Sequence, residues 1–253
     1  MIEQQIDIET KHGKTTTFIS HPERGGPFPI ILFYMDAPAI RQELRDMATR
    51  LATSGYYVML PNMYYRAGVM ELGPINPDPE SPERKKMFAL MNSLTIPLVM
   101  DDTTALLAYA KGQKAARMDL IGTVGYCMSG QYAVNAATHF PAVKAAASIY
   151  GTRLATDAPD SPHIAGGKTK AELYFACAEE DVYAPPEIIE KVKQGMKGAH
   201  AEVEIYPDTH HGFAFPKRPV YNRDAAERHW ERDRKSTRLN SSHALTSRMP
   251  SSA

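Results

Sequence analysis

The feature that most constrains this chain is a repeated alternation of unbroken apolar runs with stretches of helical periodicity. Pro29-Ile30-Ile31-Leu32-Phe33-Tyr34-Met35 is apolar from end to end. A strand that reads this way is buried on both faces, because neither face alternates with water-facing residues. Tyr56-Tyr57-Val58-Met59-Leu60, stopped by Pro61, repeats the pattern, and Asp119 to Tyr126, Val143 to Tyr150, Lys170 to Cys177 and Ala201 to Tyr206 also read as strands. Between these runs, Arg41 to Ser54 spaces Leu44, Met47, Ala48 and Leu51 along one helical stripe, and Gly55 is placed to end it. Arg84 to Leu94, Val99 to Lys111, Ser129 to Thr138, Pro186 to Lys197 and Arg223 to Arg232 also read as helices. Parallel strands need a long crossover between them, usually a helix. The alternation therefore predicts the α/β class, a mostly parallel central sheet with helices on both faces. Ile6 to Glu9 and Thr15 to Ser20 flank Lys11-His12-Gly13 and predict an N-terminal hairpin. The long, proline-rich stretch from Asn62 to Glu83 is irregular, and a loop of that length inside a domain predicts part of a pocket wall.

A length of 253 residues suits one α/β domain, expected over residues 1–233. From Lys235 the chain turns polar, Ser-rich and aperiodic, breaking a helix that begins well with Ala225, Ala226, His229 and Trp230. Residues 234–253 are read as a disordered tail or as foreign sequence replacing the native end of that helix. Lys+Arg 29 balances Asp+Glu 29, which argues against a nucleic-acid binder. The two cysteines lie in apolar runs without zinc-knuckle spacing, and the nine histidines show no HExxH pattern, so no metal site is expected. The N-terminus lacks a signal-peptide pattern and no apolar run is long enough to cross a bilayer. The expectation is a cytoplasmic protein without a membrane partner.

Gly125-Tyr126-Cys127-Met128-Ser129-Gly130 joins a buried strand to a helix. That context is where a nucleophile elbow forms, a sharp turn that lifts one side chain above the sheet edge. Gly125 meets the need for a tiny residue two before the nucleophile, while Ser129 stands where a glycine is usual. The positive end of the helix that follows favours a thiolate at Cys127, and the Met128 N–H would face an oxyanion. The plain alternative is that Cys127 is a small core residue, as most free cysteines are. Cys177, mid-strand in Leu173-Tyr174-Phe175-Ala176-Cys177, has no turn around it and reads as that inert kind.

In the α/β-hydrolase fold that such an elbow implies, an acid and then a histidine follow the nucleophile, each after a later strand. Asp181 follows the Cys177 strand in Ala178-Glu179-Glu180-Asp181-Val182-Tyr183-Ala184-Pro185. His211 follows the Tyr206 strand in Asp208-Thr209-His210-His211-Gly212-Phe213. Glu179 and Glu180 are rivals for the acid. His210 is a rival for the base, but adjacent residues on an extended segment face opposite ways.

Together these residues resemble the dienelactone hydrolase family (carboxymethylenebutenolidases), from about Lys14 to Trp230. Gly125-Tyr126-Cys127, the Asp181 loop with its proline, His211-Gly212-Phe213, Gly55-Tyr56 with Val58, and Pro61, Tyr64 and Arg66 carry the likeness. The resemblance implies a Cys127–His211–Asp181 triad that hydrolyses lactones or related esters of small molecules without cofactor or metal, in a chain that is monomeric by default. It also implies that Asp36 stands for the family's thiol-activating glutamate, and that the Ala37 N–H joins the Met128 N–H in the oxyanion hole. The family holds a substrate carboxylate with arginines. One lies four residues after the catalytic histidine, where this chain has Phe215. The other lies in the helix after the long loop, where it offers Arg84, Lys85 and Lys86. Phe215 suggests a more apolar acyl group, with Arg84, Lys86, Phe215 and Tyr64 as the substrate-binding set. Two alternatives stay open: a non-catalytic ligand-binding or thiol-sensing protein on this scaffold, and a general carboxylesterase or thioesterase.

Overall fold

The structure, a computed structural model, describes residues 1–76 and 78–238, with the side chains described as far as Arg232. The N-terminal hairpin forms as β1 (Ile2–Thr10) and β2 (Gly13–His21), paired antiparallel about a turn where Gly13 takes φ +123°. The buried runs become β3 (Phe28–Tyr34), β4 (Tyr57–Pro61), β5 (Ala116–Tyr126), β6 (Val143–Ile149), β7 (Glu172–Glu180) and β8 (Ala201–His210). One sheet collects all eight in the order β1-β2-β4-β3-β5-β6-β7-β8. From β4 to β8 every neighbouring pair is parallel, and only β2 runs against the other strands.

The helices are α1 (Gln42–Thr53), α2 (Pro82–Ser93), α3 (Ile96–Lys111), α4 (Gly130–His139), α5 (Pro162–Ala165), α6 (Pro186–Gly195) and α7 (Arg223–Arg238). They cover both faces of the sheet. Helices α1 and α7 lie together, tied by Arg50 to Glu227 at 2.6 Å, while α3, α4, α5 and α6 pack in series on the opposite face. Leu44, Met47, Ala48 and Leu51, the stripe read in the sequence, are the buried residues of α1 with Glu43 and Ala52. Ser81 and Thr95 cap α2 and α3 by accepting the N–H groups of Arg84 and Leu98. Among the described residues no helix is long and apolar enough to span a membrane.

Two features of this topology place the site. The chain leaves β3 for β4 on one side and then returns to β5 on the other, so the order reverses at β3. A crevice opens at such a switch point, outside the carboxyl ends of the strands, where Asp36 follows β3 and Cys127 follows β5. Secondly, β7 and β8 run past their expected ends at Cys177 and Tyr206. A register shift lets Glu180 pair with His210, so Asp181 and His211 leave the sheet side by side. The charged residues of these extensions read as loop in the sequence because they sit at the exposed strand ends. The last helix does not stop at Lys235, since its backbone stays helical to Arg238. The rest of the expected tail, 239–253, lies outside the described residues.

Candidate active site

Strand β5 ends at Tyr126, and Cys127 takes φ +56°, a left-handed conformation at a residue that is not glycine. Holding it there costs about 1–2 kcal/mol. Packing enforces it. A Cβ on Gly125 would lie 2.1 Å from the Ser129 carbonyl oxygen, and one on Gly130 would lie 2.6 Å from Gly151 Cα. Both glycines are therefore needed for close approach, Gly125 inside the turn and Gly130 against the loop after β6. Ser129 is a tie: its hydroxyl donates to the Met35 carbonyl at the end of β3. The Cys127 carbonyl accepts the Thr152 N–H at 2.9 Å, which anchors the turn from the far side. Residues 127–129 form a 3-10 turn that runs into α4, so the Cys127 side chain stands at a helix N-terminus, half-buried.

His211 Nδ1 lies 2.8 Å from Asp181 Oδ2, and with Nδ1 as donor Asp181 fixes the ring. The other carboxylate oxygen of Asp181 accepts the Tyr183 N–H at 2.9 Å. The Asp181 carboxylate is almost fully buried. Tyr183 and Tyr150 meet the imidazole edge-on, with ring centroids 4.8 and 5.1 Å away. Nε2 is buried and makes no hydrogen bond within normal geometry. Burial opposes a charge on this ring, but the negative charges of Cys127 and Asp181 outweigh it and raise the His211 pKa to about 10. The ring thus faces the sulfur with its free nitrogen, a loose contact of the kind that tightens when substrate arrives. His210 turns away toward Glu180, 3.5 Å off. Burial pushes the Cys177 thiol up to about 12, in keeping with an inert core cysteine.

The loop after β3 differs from what the sequence suggested. Asp36 is fully buried, and both of its oxygens are taken by arginines. Arg41 donates to Oδ1 at 2.6 Å and to Oδ2 at 3.1 Å, and Arg218 donates to Oδ2 at 2.9 Å. The expected role of Asp36 at the thiol is thereby corrected, since its shorter side chain is committed to an arginine clamp. Phe215 is corrected as well. It is completely buried, and the Arg41 and Arg218 guanidinium groups stack on its ring at 4.9 and 5.1 Å. It supports the two cations and does not form an apolar wall. Tyr64 is also buried away from the substrate space. Its hydroxyl donates to the Ala37 carbonyl at 3.0 Å and approaches Met128 Sδ at 3.3 Å. It thus ties together the loops whose N–H groups were expected to form the oxyanion hole.

Cys127, His211 and Ala37 open together onto a cavity of about 950 Å³. One wall is apolar, with Ile75 from the long loop and Met87, Phe88 and Met91 from α2. Arg84 lies on that wall, whereas Lys86 is exposed and does not line the cavity. Arg41, Arg153 and Arg218 line other parts. None of these three was singled out in the sequence. Arg41 and Arg218 are recognisable only through Asp36, which is 182 positions from Arg218, and Arg153 only through the loop after β6.

Residues 15–236 match the dienelactone hydrolase family. A Methylorubrum extorquens protein named "Putative carboxymethylenebutenolidase" is 28% identical over 239 residues, covering 92% of this chain and 79% of that one. A Bradyrhizobium protein named "Probable 2-oxo-3-(5-oxofuran-2-ylidene)propanoate lactonase" is 23% identical over 231 residues, covering 89% of each. A Klebsiella pneumoniae structure described as a "Putative Dienelactone Hydrolase" superposes with a TM-score of 0.83 at 21% identity, covering 93% of this chain and 98% of that one. At that identity the superposition speaks for the fold.

Proposed function

This chain belongs to the dienelactone hydrolase family, and on that premise we propose that it hydrolyses an ester or lactone through Cys127, His211 and Asp181. The observation that carries this reading is the left-handed Cys127, held at the switch point of the sheet opposite an imidazole whose far nitrogen is bonded to a buried Asp181. The lactonase name of the Bradyrhizobium relative supports a cyclic ester among the substrates.

His211 Nε2 holds the proton of the Cys127 thiol as Sγ bonds to the acyl carbon. The carbonyl oxygen gains the negative charge and is met by the Met128 and Ala37 N–H groups, each worth on the order of 3 kcal/mol to the transition state. The carbon–oxygen bond then breaks, and the leaving oxygen takes the proton from His211. Water attacks the thioester next, giving its proton to His211, and the sulfur leaves and recovers that proton as the acid departs. Asp181 holds the tautomer and offsets the imidazolium charge throughout.

A chromogenic aryl ester tests this. We expect release of one equivalent of phenol per enzyme followed by steady turnover, both abolished by Cys127→Ala. Ligand binding without release of phenol would instead favour a binding module on the same scaffold.

A further inference from the structure

We infer that helix α2 is the seat of the substrate's acyl arm, and that Met87, Phe88 and Met91 select esters with an apolar acyl chain of medium length. The inference rests on the ester-hydrolase reading and deepens it by naming the acid half of the substrate.

The sequence of α2 places apolar residues on two faces. Leu90 and Leu94, at the helix end, belong to the hydrophobic core. Arg84, Met87, Phe88 and Met91 follow the i, i+3, i+4, i+7 spacing of a single helical stripe, and all four line the cavity that holds Cys127. Phe88 and Met91 are only partly buried, so the core leaves them uncovered on the cavity side. Ile75 of the long loop, also partly buried, lines the same cavity. Large apolar side chains gathered on a cavity beside a nucleophile mark a binding surface. The volume of about 950 Å³ stands at the upper end of the range for pockets that enclose an extended small molecule. The cavity therefore takes in more of a substrate than the reacting ester group.

Proton transfer decides which half of the ester lies there. His211 gives its proton to the leaving oxygen, so the alcohol half lies on the His211 side, where Tyr183, Lys217, Arg218 and Val220 line the cavity. The α2 stripe and Ile75 come from the chain between β4 and α3. Strands β4 and β8 lie on opposite sides of β5, the strand that leads into Cys127. The acyl half therefore runs toward α2. The wall suits an aliphatic chain, since methionine is unbranched and its three rotatable bonds adapt to the shape of a ligand. Met87 and Met91 stand about one turn apart with Phe88 beside them, and none of the three side chains donates a hydrogen bond to a polar arm. Arg84 closes the N-terminal end of the stripe, its guanidinium over the Phe88 ring at 5.5 Å. From Arg84 to Met91 the stripe is about 10 Å long, the length of an extended acyl chain of about eight carbons.

The test measures kcat/KM for the 4-nitrophenyl esters of acetic, butyric, hexanoic and octanoic acids, each below its micellar concentration. Rates are referred to the enzyme concentration given by the phenol burst with the acetate, which counts only folded, active molecules of each variant. The expected result is a rise of about two- to fourfold per methylene from acetate to octanoate, fourfold being full transfer of a CH₂ out of water at about 0.8 kcal/mol. Phe88→Ser should flatten this slope, and Met91→Trp should bring the preferred length back to a shorter chain. Methyl, butyl and octyl acetates, followed by release of acid, form the matching series for the alcohol half. A flat acyl series, an acyl slope that both substitutions leave as it was, or a steeper slope in the alcohol series overturns the proposal. An acetate burst with a flat acyl series leaves the hydrolase reading standing without it, whereas no burst with any ester removes both.

Discussion

The imidazole of His211 lies between the Cys127 sulfur and the Asp181 carboxylate, and that position sets its proton affinity. Burial alone would lower its pKa, but the two charges raise it to about 10. The imidazolium therefore persists through neutral pH and is lost only as pH rises through that value. The rate should accordingly hold up into the alkaline range and fall near pH 10. Asp181→Asn removes one of the two groups that raise the pKa. We expect its alkaline limb to move toward neutrality, with kcat/KM lower by about 10²- to 10⁴-fold as the tautomer is lost. A pH–rate profile of the two proteins measures both effects. An alkaline limb unmoved by the substitution would show that Asp181 is not coupled to the base.

At the scale of elements, α7 is docked through a buried histidine. His229 is fully buried, Nδ1 donates to the Ala226 carbonyl at 2.5 Å, and Nε2 accepts from the Tyr126 hydroxyl at 3.0 Å. This bond ties the helix to the residue before the nucleophile. Burial lowers the His229 pKa from 6.5 to about 3, so the folded protein keeps the ring neutral while the unfolded chain protonates it. The stability this contributes is complete above pH 6.5 and declines as pH falls toward 3. At pH 4.5 the loss amounts to about 2–3 kcal/mol. His229→Gln does not titrate, so its stability should fall less between pH 7 and pH 4.5, as followed by urea unfolding. Equal losses in both proteins would remove His229 from the account.

The same scale shows what could be read in the sequence. The strand cores, the elbow and the His211 and Asp181 positions were legible because each depends on local pattern, an apolar run or a turn between strand and helix. The Asp36–Arg218 pair was not, since it joins segments 182 positions apart with no periodicity between them. Phe215 misled for a related reason. Its type suggests an apolar wall, but its place beneath two guanidinium groups follows from the path of the loop after β8. The β7 and β8 extensions were missed because exposed strand ends carry the polar residues of loops.

Across the whole molecule, the sheet gathers residues from distant parts of the chain at one edge. Reversal of strand order at β3 sets Asp36 and Cys127 beside the crevice, and the Glu180–His210 register brings Asp181 and His211 to it. Hydrogen bonds then lock the β3 loop to the elbow, from Ser129 to Met35 and from Tyr64 to Ala37. The account depends on the sulfur of Cys127 carrying the acyl group through the reaction. Intact-mass spectrometry of enzyme quenched in acid during turnover of an aryl ester measures this most directly. The account predicts one added acyl group, mapped by peptide digestion to Cys127 and absent from Cys177. An adduct elsewhere, or free turnover with the Cys127 thiol never modified, would contradict it.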